Sequence, residues 1–167
     1  QWIKDHPEKK IFESSTPEFE FLNSKYSDIY QDTDFAKHEL RTHYIDIEIA
    51  IEDEFPSTDK VAYPINLITV YDSDHKKYFT WALGDCKSHR DDVQLFLFDS
   101  EVKLLNHYLN WHQRNFPDVI TTWNGKLFDI PYMCGRIKKV LGEEAMKSMS
   151  PVKRVKQHKD RMTGEPL

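Results

Sequence analysis

Two carboxylates, Asp46 and Glu48, lie two positions apart in a stretch where apolar and polar residues alternate. Residues spaced by two on a β-strand point to the same face, so the two side chains leave the strand together, with Cα atoms about 7 Å apart. Carboxylate oxygens are the ligands that Mg²⁺ prefers, and a cation relieves the repulsion between two like charges. An Asp-x-Glu pair taken alone more often marks the hydrated face of an edge strand.

A third carboxylate, Asp129, lies in the segment 123–132. An Asp two residues before a proline, here Pro131, is typical of a helix N-cap, whose side-chain oxygen accepts backbone N–H bonds. The preceding Asn124-Gly125 pair predicts a turn, and the proline argues against a hairpin because a central strand cannot continue through it. From the residues alone, Asp129 is either a helix cap or a third member of a cation site.

The alternation and the turn residues predict the elements that must position these carboxylates. Strands are expected over residues 42–50, 63–71, 77–83 and 118–123. Helices are expected over residues 100–116 and 130–141. Ser100 is expected to cap the first helix, whose apolar stripe includes Val102, Leu105 and Leu109, and Gly142 is expected to end the second. This order of elements indicates an α/β domain that begins with antiparallel strands.

Composition narrows the class of protein. The 167 residues, of which 39% are hydrophobic, suit one globular domain with a sizeable core. No apolar run approaches the roughly 18 residues that a membrane helix needs, so we expect no membrane association. Two cysteines, Cys86 and Cys134, offer neither a disulfide framework nor a zinc site, which favours a reducing cytosol. Five glycines leave no glycine-rich phosphate loop.

Charge is distributed unevenly along the chain. The net charge of -5 lacks the overall basic character of a typical nucleic-acid binder. Residues 46–59 contain six acids and no base, whereas residues 153–161 contain five bases and one acid. A hydrated loop and a basic surface tail are the ordinary explanations of the two stretches. Their combination suggests a cation site beside a flank that attracts anions.

Taken together, the motifs resemble those of a known family. The stretch 46–48 and the segment 124–129 resemble the first and second exonuclease motifs of family B DNA polymerases. Segments 63–72 and 150–155 look like parts of the proofreading domain of polymerases from large tailed phages of the T-even type. The resemblance covers about residues 26–163 and implies a ribonuclease H-like fold, a mixed sheet flanked by helices.

The resemblance implies a 3′-to-5′ exonuclease that hydrolyses nucleotides from the 3′ end of single-stranded or frayed DNA with two Mg²⁺ or Mn²⁺ ions. Under it, Asp46 bridges both ions, Glu48 binds the ion that activates the attacking water, and Asp129 holds the second ion. Two metal ions suit this reaction because charge develops on both the attacking and the leaving oxygen.

Three further residues match positions that the family uses to bind DNA. Asn124 and Phe128 are implied to contact the single-stranded 3′ end, the phenyl ring by packing or stacking. Phe55 matches a loop that helps to separate the fraying strand, although a loop hydrophobe pinned to the core explains it equally well. The implied partners are single-stranded DNA, the palm, fingers and thumb of the same polymerase, and a sliding clamp through them, in the cytoplasm of the bacterial host.

The family's third motif is a Tyr followed four residues later by the last metal-binding Asp. No such pair follows Asp129, because Tyr132 is followed by Arg136 and Asp160 follows Lys156. We therefore expect a partial exonuclease domain.

The predicted domain boundary falls after residue 40. Residues 1–40 are expected to belong to the polymerase N-terminal domain, and residues 41–167 to the partial exonuclease domain. A rival hypothesis is a catalytically inactive module of the same fold that binds single-stranded DNA or a replication partner. A general ribonuclease of this fold is disfavoured by the polymerase-like flanks.

Overall fold

The computed structural model describes residues 40–51 and 56–155, together with Phe21, Ser24 and Lys25. The chain divides into two units, residues 1–39 and 40–167. In the first unit, the Ser24 hydroxyl donates a hydrogen bond of 3.0 Å to the Phe21 carbonyl oxygen, and the Lys25 ammonium lies 5.4 Å from the Phe21 ring centroid.

A five-stranded mixed sheet forms the centre of the second unit. Its strands are β1 (Thr42–Ile49), β2 (Ile65–Asp72), β3 (Lys77–Leu83), β4 (Val93–Phe98) and β5 (Val119–Thr121), in the order β4-β3-β2-β1-β5. Strand β1 pairs antiparallel with β2 and parallel with β5, and β3 pairs antiparallel with β2 and parallel with β4. The predicted hairpin is confirmed, and β5 is shorter than the strand predicted there.

Within the described residues, three helices accompany the sheet: α1 (Glu101–Arg114), α2 (Asp129–Leu141) and α3 (Glu143–Lys147). Helix α1 lies against β3 and β4, and α2 lies against β1. Together these elements form the predicted α/β architecture of a mixed sheet with flanking helices. Strand β4 and helix α3 are additions that the sequence pattern does not predict. None of the helices within the described residues has the length and hydrophobicity that crossing a membrane requires.

The alternation in β1 has the predicted result. Ile45 and Ile47 are buried, whereas Tyr44, Asp46 and Glu48 are exposed. The buried face contributes to a core of side chains that are less than a tenth exposed: Ile45, Ile47, Ile65, Ile68, Val70, Phe79, Trp81, Leu104, Leu105, Tyr108, Leu109, Tyr132, Met133 and Ile137. A sheet with one face packed in this way leaves the other face free to present polar side chains.

Helix α1 differs from the prediction in two details. Its buried stripe is centred on Tyr108 and His112, and Val102, about 90° from that centre at 3.6 residues per turn, is 49% exposed. Ser100 occupies the N-cap position without a side-chain cap, and its carbonyl oxygen accepts the Leu104 N–H at 3.1 Å. The expected cap bond is therefore wrong, although the start of the helix is right.

A polar cluster around the buried Asp72 holds the start of β1. Arg41 forms an ion pair with the fully buried Asp72 at the end of β2, and its Nη2 also donates to Asn115 Oδ1 at 3.0 Å. His75 Nδ1 lies 2.8 Å from Asp72 Oδ2. The fully buried His43 lies 3.4 Å from the same carboxylate oxygen. The cluster thus joins three parts of the chain: the start of β1, the β2–β3 turn and the end of α1.

This cluster should make stability depend on pH. Loss of hydration lowers the pKa of His43 to about 4, assisted by the charges of Arg41 and His112 and opposed by Asp72. The unfolded chain therefore binds a proton at His43 that the folded protein does not bind, so stability falls as pH drops from 6.5 towards 4. Although burial opposes it, hydrogen bonds from Arg41 and His75 hold the pKa of Asp72 well below its usual range, which extends the loss to lower pH.

Urea unfolding at pH 7 and pH 4 checks this expectation. Between pH 7 and pH 4, we expect the contribution of His43 to the free energy of unfolding to fall by roughly 2 kcal/mol, a value that includes partial screening by solvent. In His43→Phe, whose ring can stack on Trp111 as the imidazole does at 5.1 Å, the decline between pH 6.5 and 4 should become shallower. An unchanged slope in this variant would show that other groups control acid stability.

Candidate active site

Strand β1 presents the first two candidate carboxylates on its exposed face. Asp46 lies opposite Thr69 of β2, and Glu48 lies opposite Leu67 in the same pairing. Strand β5 pairs with β1 only at residues 42–44, so Asp46 and Glu48 lie beyond the stretch that has neighbours on both sides. Both interpretations of the pair, a hydrated strand face and part of a cation site, therefore stay predictions.

The segment after β5 places Asp129. Thr121 at the end of β5 is paired with Tyr44 of β1. The chain then turns at Asn124, whose carbonyl oxygen accepts the N–H groups of Leu127 at 3.0 Å and Phe128 at 2.8 Å. The predicted turn is confirmed, and it returns the chain towards β1 as α2 begins.

Asp129 is the first residue of α2, and Phe128 occupies the N-cap position. The cap interpretation of Asp129 is wrong because the helix begins one residue earlier than predicted and its N-cap makes no side-chain bond. Instead, Asp129 Oδ2 accepts a hydrogen bond of 2.9 Å from Thr122 Oγ1. Asp129 is only 5% exposed, so this hydrogen bond fixes the position of a nearly buried carboxylate.

Thr122 and Gly125 are functional candidates that the sequence does not reveal. A Cβ atom at Gly125 would lie only 2.5 Å from Thr122 Oγ1, a separation that real side chains do not show. Any other residue at 125 would displace the hydroxyl that holds Asp129. The Asn124-Gly125 pair signals the turn in the sequence, but the contact with Thr122 arises only when the turn folds back.

Electrostatics link Asp46 and Asp129. Partial loss of hydration raises the pKa of Asp46, and the negative charge of Asp129 raises it further, against a hydrogen bond from the Ile47 backbone. Two carboxylates that repel each other in this way form a site suited to a cation.

The donor set fits a divalent metal in type and in charge. Asp46 and Asp129 supply carboxylate oxygens, the ligands of Mg²⁺ and Mn²⁺. Within the ranges that the structure describes, however, no group of three or more His, Cys, Asp or Glu side chains is arranged to hold an ion. Asp46 and Asp129 come together, whereas Glu48 does not complete a three-ligand group with them. The role of Glu48 stays a prediction.

The candidate DNA contacts differ in their surroundings. Asn124 is exposed on the turn. Phe128 is half-buried, packs against the core and lies 5.5 Å from the Tyr132 ring, so it has a structural role whatever else it binds. Phe55 lies outside the described residues, as do residues 156–161 of the basic stretch.

A mixed five-stranded sheet with one carboxylate on β1 and another at the start of the helix that follows β5 is typical of ribonuclease H-like nuclease domains. The model of the family described as "DNA polymerase family B, exonuclease domain" matches residues 1–164. The chain therefore belongs to the family B DNA polymerase exonuclease domains.

The individual proteins to which the chain is similar are DNA polymerases, in agreement with this family. The DNA-directed DNA polymerase of Escherichia phage RB69 is 30% identical over 177 residues, covering 90% of this chain and 19% of the relative. That of Enterobacteria phage T4 is 32% identical over 162 residues, covering 81% of this chain and 18% of the relative. The DNA polymerase of Bombyx mori nuclear polyhedrosis virus is 36% identical over 53 residues, or 32% of this chain. The chain thus spans about a fifth of the length of the two phage polymerases.

Proposed function

We propose that this chain is part of a phage DNA polymerase and contains most of a 3′-to-5′ proofreading exonuclease site. The observation that supports this most directly is the electrostatic coupling of Asp46 with Asp129 in a chain of the family B exonuclease domains. The carboxylates belong to the two segments that match the family's motifs, and the fold brings these segments together. The substrate would be the 3′ end of single-stranded or frayed DNA.

In this proposal, Asp46 and Asp129 hold a divalent metal, and Glu48 joins them when the full site is assembled. Bound metal would stabilise charge on the phosphate and lower the pKa of a water nucleophile. The Thr122 hydroxyl orients Asp129. The pKa of Asp46 is raised by partial loss of hydration and, secondarily, by the like charge of Asp129, which the metal would neutralise. The missing third motif leaves the set one carboxylate short, so we expect slow cleavage and a preference for Mn²⁺ over Mg²⁺.

The remaining assignments are also part of the proposal. Asn124 and Phe128 would contact the single-stranded 3′ end, and Phe55 would help to separate a fraying strand. The partners would be DNA and the palm, fingers and thumb of the polymerase, with a sliding clamp reached through them. The site of action would be the cytoplasm of the bacterial host.

One observation favours a second function. Since no three-ligand metal group occurs among the residues that the structure describes, the chain would also suit a non-catalytic module that binds single-stranded DNA or a replication partner. A binding module would bind DNA without cutting it, whatever metal is present.

Oligonucleotides labelled at either end distinguish these functions. With Mn²⁺, we expect slow, stepwise loss of nucleotides from the 3′ end of single-stranded DNA, slower loss with Mg²⁺, and less from a fully paired end, which must first fray. A 3′ label should therefore be released early and a 5′ label late, as mononucleotides and short fragments on a denaturing gel. Early release of the 5′ label would contradict the assigned polarity. Binding without any cleavage would support the second function.

A further inference from the structure

A row of three tyrosines crosses the exposed face of the sheet beside Asp46. Tyr44 of β1 pairs with Tyr71 of β2, which pairs with Tyr78 of β3. Their ring centroids are 5.9 Å apart for Tyr44 and Tyr71 and 4.9 Å apart for Tyr71 and Tyr78. Asp46 lies two residues after Tyr44 on the same face of β1, about 7 Å along the strand.

The tyrosines and Asp46 line one open cavity of about 650 Å³. Trp123 lines the same cavity from the loop after β5, and its side chain is fully exposed. The candidate active site and this aromatic surface are therefore continuous. We call the cavity lined by Tyr44, Tyr71, Tyr78, Trp123 and Asp46 the aromatic groove.

Sheet stability explains part of this arrangement. Aromatic pairs on neighbouring strands stabilise a sheet, and Tyr71 lies between two such neighbours. It does not explain Trp123, which is fully exposed, or Tyr44, which is 53% exposed. Large aromatic rings left in water beside a candidate active site are typical of a binding surface.

We propose that the aromatic groove binds the bases of single-stranded DNA next to the 3′ nucleotide that is being removed. The inference rests on the proposed function, because Asp46 marks where the 3′ end would lie. Three strands span about 10 Å from the first to the third, which is room for roughly three stacked nucleotides at about 3.4 Å each. Aromatic faces accept every base, which suits an enzyme that must remove any mismatched nucleotide.

Charged side chains should contribute little to the binding of DNA in this groove. Among the described residues that line it, Asp46 alone carries a charge. The Arg90 guanidinium lies 4.9 Å from the Tyr78 ring centroid, but Arg90 also forms an ion pair with Asp92. Stacking, which releases no counterions, should therefore dominate, and the contribution of the groove to affinity should hardly change with salt.

Fluorescence anisotropy with labelled oligodeoxythymidine of eight nucleotides tests the proposal, in EDTA so that no cutting occurs. Tyr71→Ala should bind about tenfold more weakly than the parent chain, because stacking on one ring contributes that much for a single base. Tyr71→Phe should bind like the parent, because the ring remains. The ratio between Tyr71→Ala and the parent should be the same at 0.1 M and about 0.3 M salt.

Leu97→Ala is the matched control, since Leu97 is 49% exposed on β4 and pairs with Ala82 on the same face, away from the groove. It should bind like the parent. If Tyr71→Ala does not fold, Trp123→Ala replaces it, because a fully exposed ring contributes little to folding. Parent-like binding in the folded variant, or a parent chain that does not bind the oligonucleotide, would overturn the proposal.

The experiments can contradict the proposed nuclease function without contradicting the aromatic groove, and the reverse. A parent chain that binds DNA through Tyr71 but releases no nucleotides with Mn²⁺ would contradict the nuclease and leave the groove assigned. A parent chain that cuts from the 3′ end while Tyr71→Ala binds normally would contradict the groove and leave the nuclease assigned.

Discussion

Asp46→Ala should lower the rate of 3′ nucleotide release at least a hundredfold. The substitution removes one of the two carboxylates whose charges repel each other, and Asp129 alone offers too few oxygens to hold a divalent ion in position. Misplacing the groups that position the phosphate and the water costs orders of magnitude in rate. Release of a 3′ label from single-stranded DNA with Mn²⁺ measures the effect.

Asp99→Ala is the matched control, because Asp99 is an exposed carboxylate paired with Lys103 before α1. It should cleave at the parent rate. Calorimetric titration should show Mn²⁺ binding in the parent and in Asp99→Ala but none in Asp46→Ala. The thermal midpoint of metal-free Asp46→Ala should equal or slightly exceed that of the parent, since a repulsion is removed. Parent-like cleavage by folded Asp46→Ala would exclude this carboxylate from the site.

Arg136→Ala should have the largest effect on stability, about 3 kcal/mol. The guanidinium of Arg136, on α2, donates to both carboxylate oxygens of Glu101, on α1, at 2.8 and 2.7 Å. It also donates to the carbonyl oxygens of Val61 at 2.9 Å and Ala62 at 3.1 Å. Truncation leaves Glu101 without its ion-pair partner and two carbonyl groups without this donor.

The strained backbone at Val61 does not add to this loss, because that strain is already present in the folded parent. This β-branched residue has a φ of 38°, in the left-handed region that valine rarely adopts, and Arg136 holds its carbonyl group there. Lys103→Ala is the control, since its ion pair with Asp99 is exposed and should contribute little to stability. Urea unfolding measures both variants. A loss in Arg136→Ala no larger than in the control would show that the buried network contributes no net stability.

Much of the fold follows from local pattern. Strand β1 was predictable because Ile45 and Ile47 alternate with polar residues, and the β2–β3 hairpin because polar turn residues separate two apolar runs. Helices α1 and α2 were predictable from their apolar stripes, to within about two residues at each end. Gly142, with a φ of 94°, ends α2 in a conformation that favours glycine.

Strand β4 shows where local pattern fails. Its sequence, Val-Gln-Leu-Phe-Leu-Phe, ends in a continuous apolar run that fits a buried strand or part of a helix equally well. It also pairs parallel with β3 across the short connection 84–92, whereas parallel neighbours usually need a longer crossover. Tertiary pairing, and not the residues of β4 alone, decides its conformation.

The candidate site was predictable only in part. The resemblance to two family motifs selects Asp46 and Asp129. From composition and spacing alone, Asp46 is one member of an exposed pair and Asp129 is a helix cap. Thr122 carries no signal of its own, because its bond to Asp129 depends on the turn at Gly125. The relation of Glu48 to the other carboxylates depends on packing that the alternation in β1 does not specify.

The position of Asp129 after β5 also has a consequence for the order in which the protein folds. Strands β1, β2 and β3 are consecutive in sequence and pair with their neighbours, so their contacts are local and close quickly. Strand β5 can pair with β1 only after the intervening chain, which contains β4 and α1, has been synthesised. We therefore expect the two carboxylates to meet late in folding. A ribosome-bound chain that ends before β5 would contain Asp46 but no assembled nuclease site.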